Sequence, residues 1–349
     1  MSRCATSSGQ TGTRRSRDCA RSWPCPLPGQ AKRSERITVV SYLVEVSTPV
    51  REALESGAPV VALESTIISH GLPRPGNLDA ARSFEAILAG QGVTAATIAL
   101  IDGVPKIGLA AGELERIATD ESVIKVSSRD IGIAMARKVT GGTTVAATSV
   151  LATRAGIRVF ATGGLGGVHR GAAETFDESA DLTVLSRTPI TVVSAGVKSI
   201  LDIPATLERL ETLSVAVVGF GTSRFPAFWL SDSGCDLDWR VDSAAEIADI
   251  MAARDAFGDT SALLVANPLP TALQLDPGVL DDALTRALAV AADEGVRGKA
   301  VSPFLLDRIQ QVTGGASVGV NLQIARGNIE LAGNIARSWA ERAVDPRAG

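Results

Sequence analysis

Ile190-Thr-Val-Val-Ser-Ala-Gly-Val-Lys198-Ser199 is an apolar, β-branched strand that ends in small residues and then delivers a lysine. Runs of the same kind recur at Val60–Leu63, Thr94–Leu100, Val123–Val126, Arg158–Thr162, Val215–Gly219 and Ala262–Ala266. Between them lie Ala- and Leu-rich amphipathic stretches that predict helices over Leu78–Gln91, Gly112–Thr119, Ile131–Lys138, Thr206–Leu213, Ala244–Ala256 and Pro277–Asp293. Strands alternating with helices are the pattern of βαβ units, so the fold class is α/β with a largely parallel central sheet. In Pro277–Asp293 the residues Leu280, Ala283, Leu284, Ala287, Leu288 and Ala291 form one apolar stripe. Gly314-Gly315 breaks the chain before a final helix near Asn321–Arg342, and Asp232–Asp242 reads as a polar insertion, a loop beside a pocket. With no internal repeat and no long linker, one domain is expected.

The charge is uneven. Residues 1–36 hold eight basic and two acidic side chains, a net of +6, which leaves −10 for 37–349 of the whole-chain −4. So acidic a body is a poor match for non-specific nucleic-acid binding, which needs Lys and Arg against phosphates. No apolar run approaches the roughly 18 residues of a membrane helix. The first 36 residues read as a disordered basic leader, either a transit-type segment or a dispensable tail; Pro24, Pro26 and Pro28 interrupt any helix there. Cys4, Cys19 and Cys25 sit in that leader and Cys235 alone in the body, so no disulfide framework can form in the body and a cytoplasmic setting is expected.

Four segments place polar residues where a plain α/β core would not. In Val60-Val-Ala-Leu-Glu-Ser-Thr-Ile-Ile-Ser-His-Gly71 a strand runs straight into Glu64. A buried carboxyl has a raised pKa and suits a general acid, whereas a glutamate at a strand edge can equally be salt-bridged. In Phe160-Ala-Thr-Gly-Gly-Leu-Gly-Gly-Val-His-Arg-Gly171, glycines after a strand free backbone N–H groups to cradle an oxyanion; the competing reading is a packing turn. Its spacing fits neither a dinucleotide fingerprint nor a P-loop. His70 and His169, the two histidines of the chain, fall in these two segments. Asp177, Glu178 and Asp181 crowd three carboxylates together, which suits a hard divalent cation but alone reads as a solvated helix start. For Lys198, ligands of parallel sheets bind at the carboxyl ends of strands, where a desolvated amine becomes a nucleophile. A snorkelling lysine or an ion pair with Asp202 stands as the alternative.

Taken in order, the segments resemble the pseudouridine-5′-phosphate glycosidase family over about residues 48–342. The matching stretches include Ala62-Leu-Glu-Ser-Thr-Ile-Ile-Ser-His-Gly, Lys125-Val-Ser-Ser-Arg-Asp, Gly141-Gly-Thr-Thr-Val-Ala-Ala-Thr, Val159–Ala172, Thr175–Leu182, Ser194-Ala-Gly-Val-Lys-Ser, Val265-Ala-Asn-Pro-Leu-Pro and Thr313-Gly-Gly. The resemblance implies an α/β/α layered fold, a homotrimer, and Mn²⁺ held at Asp177. It implies Glu64 as proton donor and Lys198 as nucleophile, forming a Schiff base with the sugar. Lys125, Thr162, His169, Arg170, Ser179 and Asn321 are implied as substrate contacts, with Val145, Ala180 and Asp181 lining the rest. The implied substrate is pseudouridine 5′-phosphate, with neither nucleic acid nor membrane as partner. A different Schiff-base lyase or aldolase acting on a sugar phosphate, or a sugar-phosphate-binding regulator, would keep parts of the same pattern.

Overall fold

A computed structural model describes residues 44–344; the basic leader expected over 1–36 lies outside the described residues. The strands are β1 (Glu45–Val46), β2 (Val60–Leu63), β3 (Thr94–Ile101), β4 (Val104–Ile107), β5 (Ile124–Val126), β6 (Gly141–Thr143), β7 (Val159–Ala161), β8 (Thr191–Ser194), β9 (Ala216–Phe220), β10 (Arg240–Val241) and β11 (Leu263–Ala266). They form one sheet in the order β1-β4-β3-β2-β7-β8-β11-β9-β10, with β6 joined to β3 and β5 to β6. All pairings are parallel except β3–β4 and β3–β6.

Helices α1 (Thr48–Glu55), α2 (Gly76–Gly90), α3 (Ala111–Thr119), α4 (Ile131–Ala136), α5 (Val145–Arg154) and α6 (Ala172–Thr175) belong to the first half. In the second half follow α7 (Ala180–Leu185), α8 (Ile203–Thr212), α9 (Ala244–Phe257), α10 (Pro277–Asp293), α11 (Val301–Val312) and α12 (Ala316–Val344).

The central strands are buried on both faces, which is why they read as continuous apolar runs. Val60, Ala62, Phe160, Val192 and Leu264 pack with Leu151 of α5, Leu210 of α8 and Leu284 of α10. Their neighbours Val61, Leu63, Val159, Val193 and Val265 pack on the other face with Leu88 of α2, Met251 of α9 and Ile329 and Ile335 of α12. Period-2 alternation within each strand therefore builds the two helical layers, and the single α/β/α domain expected from the sequence is what forms. Helix starts follow capping chemistry: Asp202, Ser243 and Asp276 accept from the backbone N–H of Ala205, Glu246 and Val279 at 3.0, 3.1 and 2.9 Å.

The seven expected strands and six expected helices are present, with ends moved by a few residues at most. The final helix starts at Ala316 rather than Asn321. Gly319 lowers helix propensity there, and the buried Ser317, bonded to the Thr313 hydroxyl at 3.2 Å, holds the added turn. The hairpin β3–β4 went unread, although Asp102 (φ 49°) and Gly103 (φ 81°) are the left-handed pair that a two-residue hairpin turn requires. The insertion Asp232–Asp242 runs along the β9–β10 edge, where Cys235–Val241 line a groove with α8 and α9, away from Lys198. Among the described residues no helix is long and apolar enough to cross a membrane.

Phe160, fully buried on β7, tests the layered core. Phe160→Ala is expected to cost about 3–5 kcal/mol, read from the urea unfolding midpoint.

Candidate active site

Three neighbouring parallel strands set the site. Glu64 follows the last residue of β2, Thr162 follows β7, and Lys198 lies four residues past β8. The β5–β6 wing supplies the opposing wall. Because β6 runs antiparallel to β3, its carboxyl end meets the end of β2: the Thr143 N–H donates to Ser65 Oγ at 2.9 Å, and both hydroxyls donate to the Ile98 carbonyl at 2.6 Å. This buried hydroxyl clip explains why Ser65 and Thr143 interrupt apolar sequence, and it brings Lys125, Thr144 and Val145 opposite Glu64.

Two adjoining cavities open here. The first, about 240 Å³, is lined by Glu64, Lys125, Val145, His169, Asp177, Ser179, Ala180, Asp181 and Lys198, together with Thr66, Ser127, Arg129 and Thr144. The second, about 60 Å³, shares Glu64, Thr66, Lys125, Lys198 and Ser302 and adds Ile67, His70, Phe228, Leu306 and Asn321. The second is the more apolar of the two, because Ile67, Phe228, Pro303 and Leu306 form the part of its wall that the first lacks. Thr162 stands behind Glu64 and is off both walls; its hydroxyl donates to the Glu64 carboxyl. Arg170 is exposed and is not brought to either cavity, its guanidinium reaching the Ser199 carbonyl at 3.4 Å. Asn321 accepts from the Trp229 indole at 2.5 Å, which fixes its amide at the apolar cavity.

Burial raises the Glu64 pKa above the carboxylate range; Lys198, the Thr162 hydroxyl and Lys125 oppose that rise, and Asp181 adds to it. Among the described residues Glu64 has no ion pair, and it is a desolvated carboxyl whose protonated form burial favours. His169 and His70 are both held below the usual imidazole range, chiefly by burial. Lys198 is half-buried, and Asp202 instead caps α8, with no ion pair to Lys198 among the described residues.

Part of the glycine-rich loop is tied up by its own surroundings. The N–H groups of Leu165, Gly166, Val168 and His169 donate to Gly196 O, Asp181 Oδ2, Thr206 Oγ1 and Asp177 O at 2.8–3.0 Å, so they are not available to cradle an oxyanion. A Cβ on Gly164 would lie 2.6 Å from the Phe228 ring, and one on Gly166 would overlap the Ser179 side chain. Gly164 and Gly166 thus serve close packing, Gly163 and Gly164 also line the second cavity, and the cationic groups facing the first cavity are Lys125, Arg129 and Lys198.

The acidic trio divides. Asp181 accepts from the N–H of Ala146 at 2.9 Å and of Gly166 at 2.8 Å, tying α5 to the loop. Glu178 accepts from Arg209 at 2.9 Å. Asp177 remains, facing the first cavity with His169 Nδ1 at 3.9 Å. Among the described residues no three His, Cys, Asp or Glu side chains gather as a metal cage. One carboxylate on a polar cavity fits a hard cation that keeps most of its waters.

Sequence reading missed Thr66, Phe228, Ser302, Pro303 and Leu306 as wall residues. Thr66 sits two residues from Glu64, and its hydroxyl is buried with no partner among the described residues. The α11 residues carry no local signal, since only the tertiary fold brings that helix over the strand ends.

A lysine amine and a buried carboxyl opening on joined cavities at the ends of parallel strands define an α/β enzyme. The chain belongs to the indigoidine synthase A like protein family, whose match runs over residues 49–338. It is 59% identical over 303 residues to a pseudouridine-5′-phosphate glycosidase of Frankia alni, covering 87% of this chain and 84% of that protein. A protein of the same name from Saccharopolyspora erythraea is 55% identical, covering 84% and 97%. The crystal structure of the prealnumycin C-glycosynthase AlnA in complex with ribulose 5-phosphate superposes with a TM-score of 0.80 at 35% identity, covering 86% of this chain and 98% of that one.

A carboxyl whose folded-state pKa is raised binds its proton more tightly when folded, so stability falls as pH climbs from the unfolded value towards the folded one. Glu64→Gln removes that loss. The variant should melt above the wild type at about pH 8, with the gap closing towards about pH 4. A gap that widens on acidification would show Glu64 to be stabilised as the carboxylate instead.

Proposed function

We propose that the protein cleaves the C1′–C5 glycosidic bond of pseudouridine 5′-phosphate, reversibly giving uracil and ribose 5-phosphate through a Schiff base on Lys198. The observation that carries this reading is the junction of the two cavities: Glu64 and Lys198 line both. The reacting carbon can sit at the junction with the sugar phosphate in the polar cavity and the base in the apolar one. The names of the relatives and the C-glycosidic chemistry named for AlnA support the same choice of bond.

Lys125 and Arg129 suit the phosphate, with Ser179 and His169 alongside and Val145, Ala180 and Asp181 shaping the wall. The Asn321 amide suits the base. Glu64 protonates the ring oxygen O4′ as the Lys198 amine bonds to C1′ and the C1′–O4′ bond opens. The Lys198 nitrogen, now an ammonium, returns a proton to the Glu64 carboxylate; its freed lone pair then forms a C1′=N bond while the C1′–C5 bond breaks and C5 takes that proton. Water hydrolyses the iminium, releasing ribose 5-phosphate and the free amine. A carbon leaving group needs such an electron sink, which a carboxylate pair cannot supply. Residues 48–342 form the catalytic domain in this reading. Asp177 would hold a Mn²⁺ ion, which would supply positive charge to the polar cavity when bound. A homotrimer in the cytoplasm completes the proposal.

Incubation with pseudouridine 5′-phosphate should release uracil, followed by its absorbance, and borohydride should trap an adduct whose added mass maps to Lys198. Lys198→Ala should lower kcat on the order of a thousand-fold or more. Undiminished uracil release by that variant would overturn the covalent step, and release of a different base or an aldol product would indicate another Schiff-base lyase. Chelator should depress activity and Mn²⁺ restore it, a response expected to vanish in Asp177→Ala.

A further inference from the structure

The segment Val265-Ala-Asn-Pro-Leu-Pro stood out in the sequence and has no part in the mechanism above. Its Asn267 follows β11, and its N–H donates to the Ser194 carbonyl at the end of β8 at 2.8 Å. The Asn267 side chain donates to Asn328 Oδ1 at 3.0 Å. Asn328 is 1% exposed and lies two helical turns after Asn321, so α12 turns the same face to the site at both positions. Its Nδ2 donates to the carbonyls of Thr162 at 2.8 Å and Gly163 at 3.2 Å. Two carbonyl acceptors on one side and an amide donor on the other fix which end of the Asn328 amide is nitrogen. All of its polar capacity towards the strand ends is thereby used.

Those two carbonyls lie just past β7; the Gly163 carbonyl also accepts from the Ala195 N–H beyond β8 at 3.0 Å, so there Asn328 adds a second donor, while at Thr162 it supplies the shorter of its two bonds. Thr162 is held from the other side by its N–H on the Val193 carbonyl at 3.0 Å, and its hydroxyl reaches the Glu64 carboxyl. Thr162 is β-branched, so its χ1 choice is narrow and the hydroxyl follows the backbone that carries it.

We propose that Asn328, braced by Asn267, is a positioning residue for Glu64: it holds the Thr162–Gly163 backbone so that the Thr162 hydroxyl meets the Glu64 carboxyl. The role of Glu64 as proton donor rests on the function proposed above. The groups facing Glu64 are Lys198, Lys125 and Asp181 as well as Thr162, and of these Thr162 is the one that Asn328 sets. Thr162 donates to the carboxylate form, so loosening it favours the protonated form and moves the Glu64 titration to higher pH.

The test compares Asn328→Ala, Thr162→Val and the double variant. Asn328→Ala should lower kcat on the order of 10–100-fold, the scale expected for a small misplacement of a reacting group, with KM for pseudouridine 5′-phosphate within about two-fold. The alkaline limb of the rate profile should move up in both single variants. In the Thr162→Val background, Asn328→Ala should add little, because the two act through one contact. A merely structural asparagine would leave the limb in place and give losses that multiply, and either result overturns the proposal. If Asn328→Ala does not fold, Asn267→Ala keeps both Asn328 donors and removes only their brace, and should show a smaller shift in the same direction; no shift there counts against the proposal. The Glu64 titration can also be read without substrate, from the infrared band of the protonated carboxyl that Glu64→Gln deletes. An upward shift of that band in Asn328→Ala, with wild type inactive on pseudouridine 5′-phosphate, would sink the proposed substrate and keep the positioning role. No shift in an active enzyme would sink the positioning role alone.

Discussion

The hydrogen bond from Thr162 to the buried Glu64 carboxyl is the constraint around which the site is arranged. A carboxyl at the end of a central strand has lost most of its water, and its ionised form is stable only so far as neighbours replace that water. Here one hydroxyl and two lysines oppose the cost of burial without cancelling it, so the proton affinity stays raised. That balance requires β2, β7 and β8 to lie side by side in parallel, because only then do Glu64, Thr162 and Lys198 emerge at one end of the sheet. Antiparallel neighbours would have sent one of them to the opposite edge.

The same arrangement explains the glycines and the acidic trio. Gly164 and Gly166 let the loop after β7 lie against Phe228 and Ser179, closer than any side chain would permit. Asp181 then joins that loop to the first turn of α5, so the wall that faces Lys198 is anchored from behind. A cluster of like charges at this place is tolerable because two of its members, Asp181 and Glu178, have donors of their own. The third faces the cavity.

Polarity in the wrong place was the signal that made much of the site legible in the sequence. Glu64 directly after Val60–Leu63 and Lys198 after Ile190–Ser194 interrupt apolar strands, and such interruptions mark strand ends in a parallel sheet. The glycine-rich segment was legible as special, but not which of its glycines pack tightly, since free backbone N–H groups and close packing give the same letters. Asn328 and the α11 residues were not legible at all. An asparagine in a long helix and a Ser-Pro-Phe-Leu-Leu run at Ser302–Leu306 carry no local anomaly.

By itself the sequence determined seven of the strands, the helices between them, the parallel class and the two strand ends where Glu64 and Lys198 stand out, because each depends on local periodicity or on one misplaced charge. Tertiary structure alone decided that β6 would run back against β3, and that Thr162 rather than a salt bridge would meet Glu64. It also decided that Asn328, some 166 positions away in the chain, would hold Thr162 in place. The physical reason is that hydrogen bonds between distant backbone and side-chain groups depend on where strand ends fall in space, and no spacing along the chain encodes that.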